Sequence, residues 1–125
     1  NIVQAVYYNT STKEITYAVS AAPAIGTMTS GANITPTTTT AQYNVTALAV
    51  ASNVDAPTGT PLDGQKLTIR ILDNGTGQSL TWDAVYQVIG TTLPTTTVAN
   101  KYTYVGCIYN AQVSKWDVVS VAQQA

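Results

Sequence analysis

The clearest structural signal in the chain is the stretch Gln65 to Gly75, which reads QKLTIRILDNG. Apolar and polar residues alternate along it, and this two-residue period is that of a β-strand with one buried face. The apolar set is Leu67, Ile69 and Ile71, and the opposite set is Lys66, Thr68 and Arg70. The closing Asp-Asn-Gly is typical of a tight turn, because Asn and Gly tolerate the positive φ angles that such turns require. The stretch therefore predicts a strand, a turn and a returning strand over residues 79–82.

Similar strand and turn signals recur along the rest of the chain. Residues 3–8 and 14–19 flank a polar turn and are predicted to form a β-hairpin. Further strands are predicted at residues 43–51, 84–89, 102–109 and 115–121. About eight or nine short strands without a helical stripe predict an all-β fold, expected to be an antiparallel β-sandwich of jelly-roll type, with a barrel as the alternative.

Residues 21–40 lack this alternation. They contain two prolines, two glycines and a run of threonines at residues 37–40, and such a composition is typical of an extended loop. We therefore predict an extended arm that is either mobile or laid along a neighbouring subunit. The expected domain organisation is an N-terminal hairpin and extended arm over residues 1–40, followed by a β-sandwich module over residues 41–125.

The composition limits the classes of partner. Only 9% of the residues are charged, against about 25% in an average soluble protein. We therefore expect much of the surface to contact other protein, including copies of this chain in a homotrimer or another symmetric oligomer. The five Lys and Arg residues are too few for a basic patch, which argues against a nucleic-acid partner. No apolar run reaches the ~18 residues that cross a bilayer, so no membrane partner is expected.

Residue types that support catalysis are scarce. The chain has no histidine and a single cysteine, Cys107, which argues against zinc sites and His-dependent triads. Cys107 is predicted to be a small buried hydrophobe. The six Asp and Glu residues stand singly, mostly at predicted turns, where Asp bonds its own backbone. Asp73 and Asp83 flank one predicted hairpin and are the only pair considered for a bound cation. We expect a non-enzyme without catalytic residues, cofactor or metal site.

The aromatic residues leave three interpretations open. The chain has eight tyrosines and two tryptophans but no phenylalanine, and Tyr and Trp combine an apolar body with a polar tip. They are expected to fill the core and its rim, to contact a second subunit or to stack on sugars. Trp82 and Trp116 are predicted to lie in the core. The strand at residues 102–109 is apolar on both faces, which predicts cover on both sides. A second subunit is the candidate for the outer cover.

Several short motifs occur together in the C-terminal part of the chain. They are PTGTP at residues 57–61, DGQKL at 63–67, DNGT at 73–76, LPTTT at 93–97, GCIYN at 106–110 and KWDVV at 115–119. With these motifs, residues 40–125 resemble a β-rich module that recurs in tailed-bacteriophage virion structural proteins, either capsid-associated or tail-fibre-like. The resemblance implies a structural role on the virion surface and brings no set of functional residues.

Three functional hypotheses follow. The leading one is a capsid decoration or cement protein on the head exterior, which would bind the major capsid protein or other virion proteins. It rests on the resemblance and on a small, neutral chain with an arm. The alternative is a tail-fibre or receptor-binding module that contacts host surface glycans. A remote alternative is a carbohydrate-active depolymerase, which would need paired carboxylates in a cleft. The expected localisation is the virion, with the head exterior favoured over the tail.

Overall fold

A computed structural model describes residues 4–11, 14–19 and 23–125 of the chain. Within these ranges the chain has eleven strands and no helix, so the protein is all-β, as predicted. The strands are β1 (Gln4–Asn9), β2 (Glu14–Val19), β3 (Ile25–Met28), β4 (Asn33–Ile34), β5 (Gln42–Leu48), β6 (Ser52–Val54), β7 (Lys66–Asp73), β8 (Leu80–Trp82), β9 (Tyr86–Val88), β10 (Tyr102–Asn110) and β11 (Lys115–Gln123).

The first two strands form the predicted hairpin. β1 and β2 pair antiparallel, from Gln4 opposite Val19 to Asn9 opposite Glu14. Runs of β-branched and aromatic residues on both sides of a polar segment favour such a pair of strands. Residue 3, the first of the predicted hairpin, lies outside the described ranges.

The next six strands form three coils, each of which adds one strand to each of two sheets. The first coil is β3 and β4, the second is β5 and β6, and the third is β7 and β8. Strands of successive coils pair in parallel, because the chain returns to each sheet in the same direction after passing through the other. The backbone N–H groups of Asp55 and Asp83 donate to the carbonyls of Ile34 and Val54, both at 2.9 Å.

β10 and β11 complete the larger sheet next to the third coil. β10 pairs antiparallel with β7 and with β11, and β9 lies parallel to β11 at the edge. The larger sheet has the order β3-β5-β7-β10-β11-β9, and the smaller sheet has the order β4-β6-β8. The prediction of wholly antiparallel pairing is therefore wrong. Alternation along a strand reports one buried face and does not report the direction of the neighbouring strands.

The strand predicted to return after the Asp-Asn-Gly turn lies in the other sheet. β7 ends at Asp73 and β8 begins at Leu80, but β8 pairs with β6 rather than with β7. Residues 74–79 therefore form a corner between the sheets, and the predicted hairpin is wrong. A turn signal identifies where the chain changes direction, whereas the packing of the whole domain selects the strand that it next joins.

The segment predicted as an extended arm contributes the first coil. β3 pairs with β5 and β4 pairs with β6, so strand pairing crosses the domain boundary expected at residue 40. Ile34 and Pro36 are fully buried. The alternation of polar and apolar residues is interrupted at Gly26, an inward position with no side chain. A Cβ atom there would lie 2.6 Å from a ring carbon of Tyr43. The arm prediction is wrong for residues 25–40, and residues 21 and 22 lie outside the described ranges.

The hydrophobic core is shared by the two sheets. Its members that are at most 1% exposed are Ile34, Val45, Leu48, Val54, Leu67, Ile69, Ile71, Val105 and Val118. The alternation predicted for β7 is confirmed, since Leu67, Ile69 and Ile71 are all buried. Trp116 is buried as predicted, whereas Trp82 is only partly buried against the core.

Candidate interaction surfaces

Asp73, one of the two acids considered for a cation, holds the corner between the sheets. Its side chain is 1% exposed. Its Oδ1 atom accepts hydrogen bonds from the backbone N–H groups of Gly75, Thr76 and Gly77 at 2.7, 2.9 and 3.1 Å. Its Oδ2 atom accepts a hydrogen bond from the hydroxyl of Thr97. The carboxylate thus closes the corner and ties it to the loop that precedes β10.

Two opposing effects act on the pKa of Asp73. Burial raises it, but the hydrogen bonds from Thr97 and from the backbone N–H groups of the corner stabilise the charged form. The hydrogen bonds prevail, and the pKa of Asp73 lies below its usual value. Both carboxylate oxygens already accept hydrogen bonds, which leaves little lone-pair capacity for a cation.

The second acid of the pair, Asp83, follows β8 in the smaller sheet. Its Oδ1 atom accepts a hydrogen bond from the backbone N–H of Val85 at 2.9 Å, and it shares no hydrogen-bond partner with Asp73. Over the part of the chain that the structure describes, no group of three or more His, Cys, Asp and Glu side chains could hold a metal ion. Asp73 is also the only buried acid among residues 23–125.

Cys107 lies in β10 and faces the core, as predicted. Burial raises the pKa of its thiol to about 12. A thiol with so high a pKa stays protonated at neutral pH, and the thiolate is the form that acts as a nucleophile. Cys107 therefore serves the core as a small apolar side chain.

The outer face of the smaller sheet carries a network that we call the polar ladder, formed by Asn33, Thr35, Asn53, Asp55 and Thr81. Asp55 lies at its centre. The Nδ2 atom of Asn33 donates to both carboxylate oxygens of Asp55, at 3.0 and 3.1 Å. The Nδ2 atom of Asn53 donates to Oδ1 of Asp55 at 2.6 Å. The Thr35 hydroxyl donates to Asp55 at 2.8 Å, and the Thr81 hydroxyl donates to Oδ1 of Asn53 at 2.8 Å.

Stacking of the coils explains why these side chains meet. Asn33 pairs with Asn53 in register, and Asn53 pairs with Thr81. The hydrogen bonds from Asn33, Asn53 and Thr35 lower the pKa of Asp55, with a small opposing contribution from burial. The polar groups of this face therefore bond mainly to one another.

A different surface covers the outside of β7 and β10, the central strands of the larger sheet. The inward residues of both strands are buried, so the intervening residues face outward. We call these outward residues the tyrosine face: Lys66, Thr68, Arg70, Leu72, Tyr102, Tyr104 and Ile108. Tyr102 and Tyr104 are 37% and 40% exposed. Their ring centroids lie 6.5 Å apart with the planes tilted by 43°.

The polar side chains of the tyrosine face have no hydrogen-bond or ion-pair partner in the described part of the chain. Arg70 pairs with Tyr104 in register, and its Cζ atom lies 5.6 Å from the centroid of the Tyr102 ring. Beyond that ring contact, the guanidinium of Arg70 makes no hydrogen bond or ion pair with a described residue, and neither does the ammonium of Lys66. The hydroxyls of Tyr102 and Tyr104 are likewise unbonded there. Cover of this face by a second subunit stays a prediction.

The first coil leaves a third surface, which we call the open edge. β3 is the outermost strand of the larger sheet and β4 is the outermost strand of the smaller sheet, and no described strand pairs with their free sides. Ile25 in β3 is 54% exposed. The opposite edge of the smaller sheet is covered, since Leu80 N donates to Thr95 O and Thr97 N donates to Gln78 O, both at 2.8 Å. Edge strands present backbone groups on which another strand can pair.

Comparisons of the chain with family models, curated proteins and solved structures give no match. The resemblance to phage virion proteins therefore rests on the sequence motifs alone. Among the described residues, no helix is long and apolar enough to cross a membrane.

Several of these motifs have a structural role. DNGT forms the corner held by Asp73, and LPTTT covers the edge of β8, where the Pro94 carbonyl accepts a hydrogen bond from Trp82 Nε1 at 2.8 Å. The polar ladder was not predicted. Its signal is a polar-apolar-polar triplet that occurs as Asn-Ile-Thr at 33–35, Asn-Val-Asp at 53–55 and Thr-Trp-Asp at 81–83. The unequal spacing of the triplets conceals the repeat.

Proposed function

We propose that the chain is a bacteriophage virion structural protein that works by assembly and not by catalysis. The virion part of this proposal rests on the sequence motifs, and the observation that carries assembly is the open edge, where both sheets end on a strand of the same coil whose outer side no described strand pairs with. A neighbouring chain that pairs there would satisfy the exposed backbone groups of both sheets at once. It would also cover Ile25, which is 54% exposed.

The composition supports association at such an edge. Natural proteins protect exposed edge strands with charged residues, above all lysine. β3 reads IGTM and β4 reads NI, so neither strand carries a charge. With 9% charged residues in the whole chain, few charges oppose the approach of another neutral surface. Burial of apolar surface there would contribute about 25 cal/mol per Å².

Our leading placement is the head exterior, as a decoration or cement protein that binds the major capsid protein and assembles as a homotrimer. Residues 25–40 belong to the first coil, so the bridging elements in this proposal are the open edge and the hairpin rather than an arm. We propose that the two packed sheets form a β-sandwich; the parallel pairing within both sheets argues against the jelly-roll form, whose strands pair antiparallel.

The copy number of the protein in purified particles tests this placement. Quantitative mass spectrometry would compare its amount with those of the major capsid protein and of the tail proteins. An amount close to that of the major capsid protein is expected for a head decoration protein. An amount close to that of a tail-fibre protein would contradict the head placement, and absence from the particle would contradict the virion role.

The second candidate function is a receptor-binding module of a tail fibre. The tyrosine face favours it, because its exposed Tyr rings lie beside Arg70, whose guanidinium has no hydrogen-bond acceptor among the described residues. Binding of the isolated full chain to host cells, lost when Tyr104 is replaced by Ser, is the expected result for this candidate. Host-cell binding that is unchanged by Tyr104→Ser would contradict it. No observation on the described residues favours the depolymerase hypothesis.

A further inference from the structure

The tyrosine face has the composition of a ligand platform. Tyr102 and Tyr104 lie side by side on one strand, with centroids 6.5 Å apart and more than a third of each side chain exposed. Aromatic rings offer an apolar surface to the C–H groups of a sugar, and the phenol hydroxyl adds a donor and an acceptor at the rim. Neither hydroxyl is bonded to a described residue.

Arg70 adds a charge of defined position to this platform. Its Cζ atom lies 5.6 Å from the centroid of the Tyr102 ring, within the range of a cation–π contact. Such a contact restricts the side chain and leaves the planar N–H fork without an acceptor in the described part of the chain. A guanidinium fork binds a carboxylate through parallel hydrogen bonds. The tyrosine face can therefore bind one carboxylate at Arg70, next to two aromatic rings.

The charge of the surroundings favours a ligand with few charges. Lys66 and Arg70 are the cations of the face, which are too few for the repeated phosphate contacts of a nucleic acid. The acid of β11, Asp117, lies opposite Ile108 in register and accepts hydrogen bonds from Gln87 and Asn110, both at 3.2 Å. The remaining outward groups in register are neutral, such as Thr68 beside Gln42. Neutral hydroxyl and amide groups match the hydroxyls of a sugar.

The strand order argues against an acidic protein segment at this place. Peptides often bind a sheet by adding a strand at an edge, where backbone groups are free. β7 and β10 each have a paired strand on both sides, so their backbone groups are already engaged. An extended peptide over this face would gain only side-chain contacts. A sugar ring needs only the aromatic rings and the donors that the face presents.

We propose that Arg70, Tyr102 and Tyr104 form a binding site for a carboxylate-bearing saccharide. This inference rests on the second proposed function, the receptor-binding module, and names its ligand class. The face is open, so one copy is expected to bind with a dissociation constant on the order of 1 mM. Several copies on one particle would raise the overall affinity through multivalency.

The test is an NMR titration of the ¹⁵N-labelled full chain with glucuronate, with neutral glucose and with a short poly-glutamate peptide. Glucuronate is expected to shift the signals of Arg70 Nε and of the Tyr104 backbone amide. Arg70→Gln is expected to weaken glucuronate binding at least tenfold. Lys115→Gln removes the same charge at a lysine that donates to Ala84 O, and it should leave the binding unchanged. Tyr104→Ser should weaken glucuronate binding about as much as Arg70→Gln does, while the amide spectrum away from the site stays unchanged.

Four results would overturn the inference. They are glucose binding as strong as glucuronate binding, Arg70→Gln binding as strong as that of the wild type, binding of the peptide without the sugar, and no shift at tens of millimolar glucuronate. Failure here is distinguishable from failure of the virion role, because the copy number in particles is measured without any sugar. It is also distinguishable from failure of receptor binding, because Tyr104-dependent host-cell binding would persist with a different ligand.

Discussion

The polar ladder and the tyrosine face differ in how their polar side chains are bonded. On the smaller sheet, Asp55 accepts hydrogen bonds from Asn33, Thr35 and Asn53. On the larger sheet, Arg70 has the ring of Tyr102 as a neighbour and no hydrogen-bond acceptor in the described part of the chain. The first face stabilises the coils that it joins. The second has hydrogen-bonding capacity that no described residue uses.

The two surfaces also differ in the strands that build them. Parallel coils place equivalent positions in one row, so Asn33, Asn53 and Thr81 form a continuous ladder. β7 and β10 come from unlike parts of the chain and pair antiparallel, which sets Arg70 opposite Tyr104. Residues that are stacked by a repeat can satisfy one another, whereas the guanidinium of Arg70 has the ring of Tyr102 as its neighbour and no hydrogen-bond acceptor among the described residues.

The corner that joins the two faces should give the largest effect. Asp73→Ala leaves the backbone N–H groups of Gly75, Thr76 and Gly77 without their acceptor. We expect the free energy of unfolding to fall by about 3 kcal/mol, because the loss occurs at a buried site. Urea unfolding measures this change. Asp63→Ala is the control, since it removes the same charge and one exposed hydrogen bond to Ala111 N. Equal losses in the two variants would show that the corner is not specially stabilised.

Removal of the centre of the polar ladder should give the next largest effect. Asp55→Ala deletes an acceptor shared by Asn33, Thr35 and Asn53. The face is partly exposed, and water replaces some of the lost hydrogen bonds, so we expect a loss of about 1 kcal/mol. Asn33→Ala in the same background should cost less than Asn33→Ala in the wild type. Additive losses would mean that the ladder is not a coupled network.

Acid should weaken the corner and the ladder but not the tyrosine face. Folding lowers the pKa of Asp55 and of Asp73, so at acidic pH the folded protein binds fewer protons at these two carboxylates than the unfolded chain does. Their contribution to stability is complete above the unfolded-state pKa of about 3.9 and is lost as the pH falls through the lower folded-state values. Unfolding measured between neutral pH and pH about 3 should show this loss. Asp55→Asn and Asp73→Asn should each flatten the pH dependence, and a slope unchanged in both variants would contradict the assignment.

Substitution on the tyrosine face should have the smallest effect on stability. Arg70→Gln removes a charge that forms no hydrogen bond or ion pair with a described residue. The free energy of unfolding should therefore change by no more than about 0.5 kcal/mol. Thermal unfolding of this variant beside Asp55→Ala compares the two faces directly. A loss for Arg70→Gln as large as that for Asp55→Ala would remove the distinction between them.

The sequence predicts the strands of this fold better than their arrangement. The alternation in β7 and the aromatic and β-branched runs of β1 and β2 are local signals, and they were read correctly. The first coil was missed because Gly26 replaces an inward side chain beneath Tyr43, so the two-residue period disappears. The direction of the strands was missed because a turn such as residues 74–79 looks the same whether it closes a hairpin or rounds a corner.

The candidate surfaces were predictable to different degrees. The strand at residues 102–109 was predicted to be apolar on both faces, but the sequence did not indicate that the row with Tyr102 and Tyr104 is the outward one. Nothing local indicated that Arg70 would lie beside these rings, since the contact depends on the register of β7 with β10. The polar ladder depends on stacking of segments that are 20 to 28 residues apart. Such contacts require the coil topology, which the sequence alone did not reveal.

The central proposal, assembly through the open edge, is tested most directly by the mass of the full chain in solution over a range of concentrations. Sedimentation equilibrium would compare the wild type with Ile25→Lys, which places a charge on the edge strand β3, and with Val113→Lys. Ile25 and Val113 are similarly exposed, at 54% and 51%, but Val113 lies in the turn between β10 and β11. We predict an oligomer for the wild type and for Val113→Lys, and a monomer for Ile25→Lys. A monomeric wild type at every concentration, or an oligomer that Ile25→Lys leaves intact, would contradict the proposal.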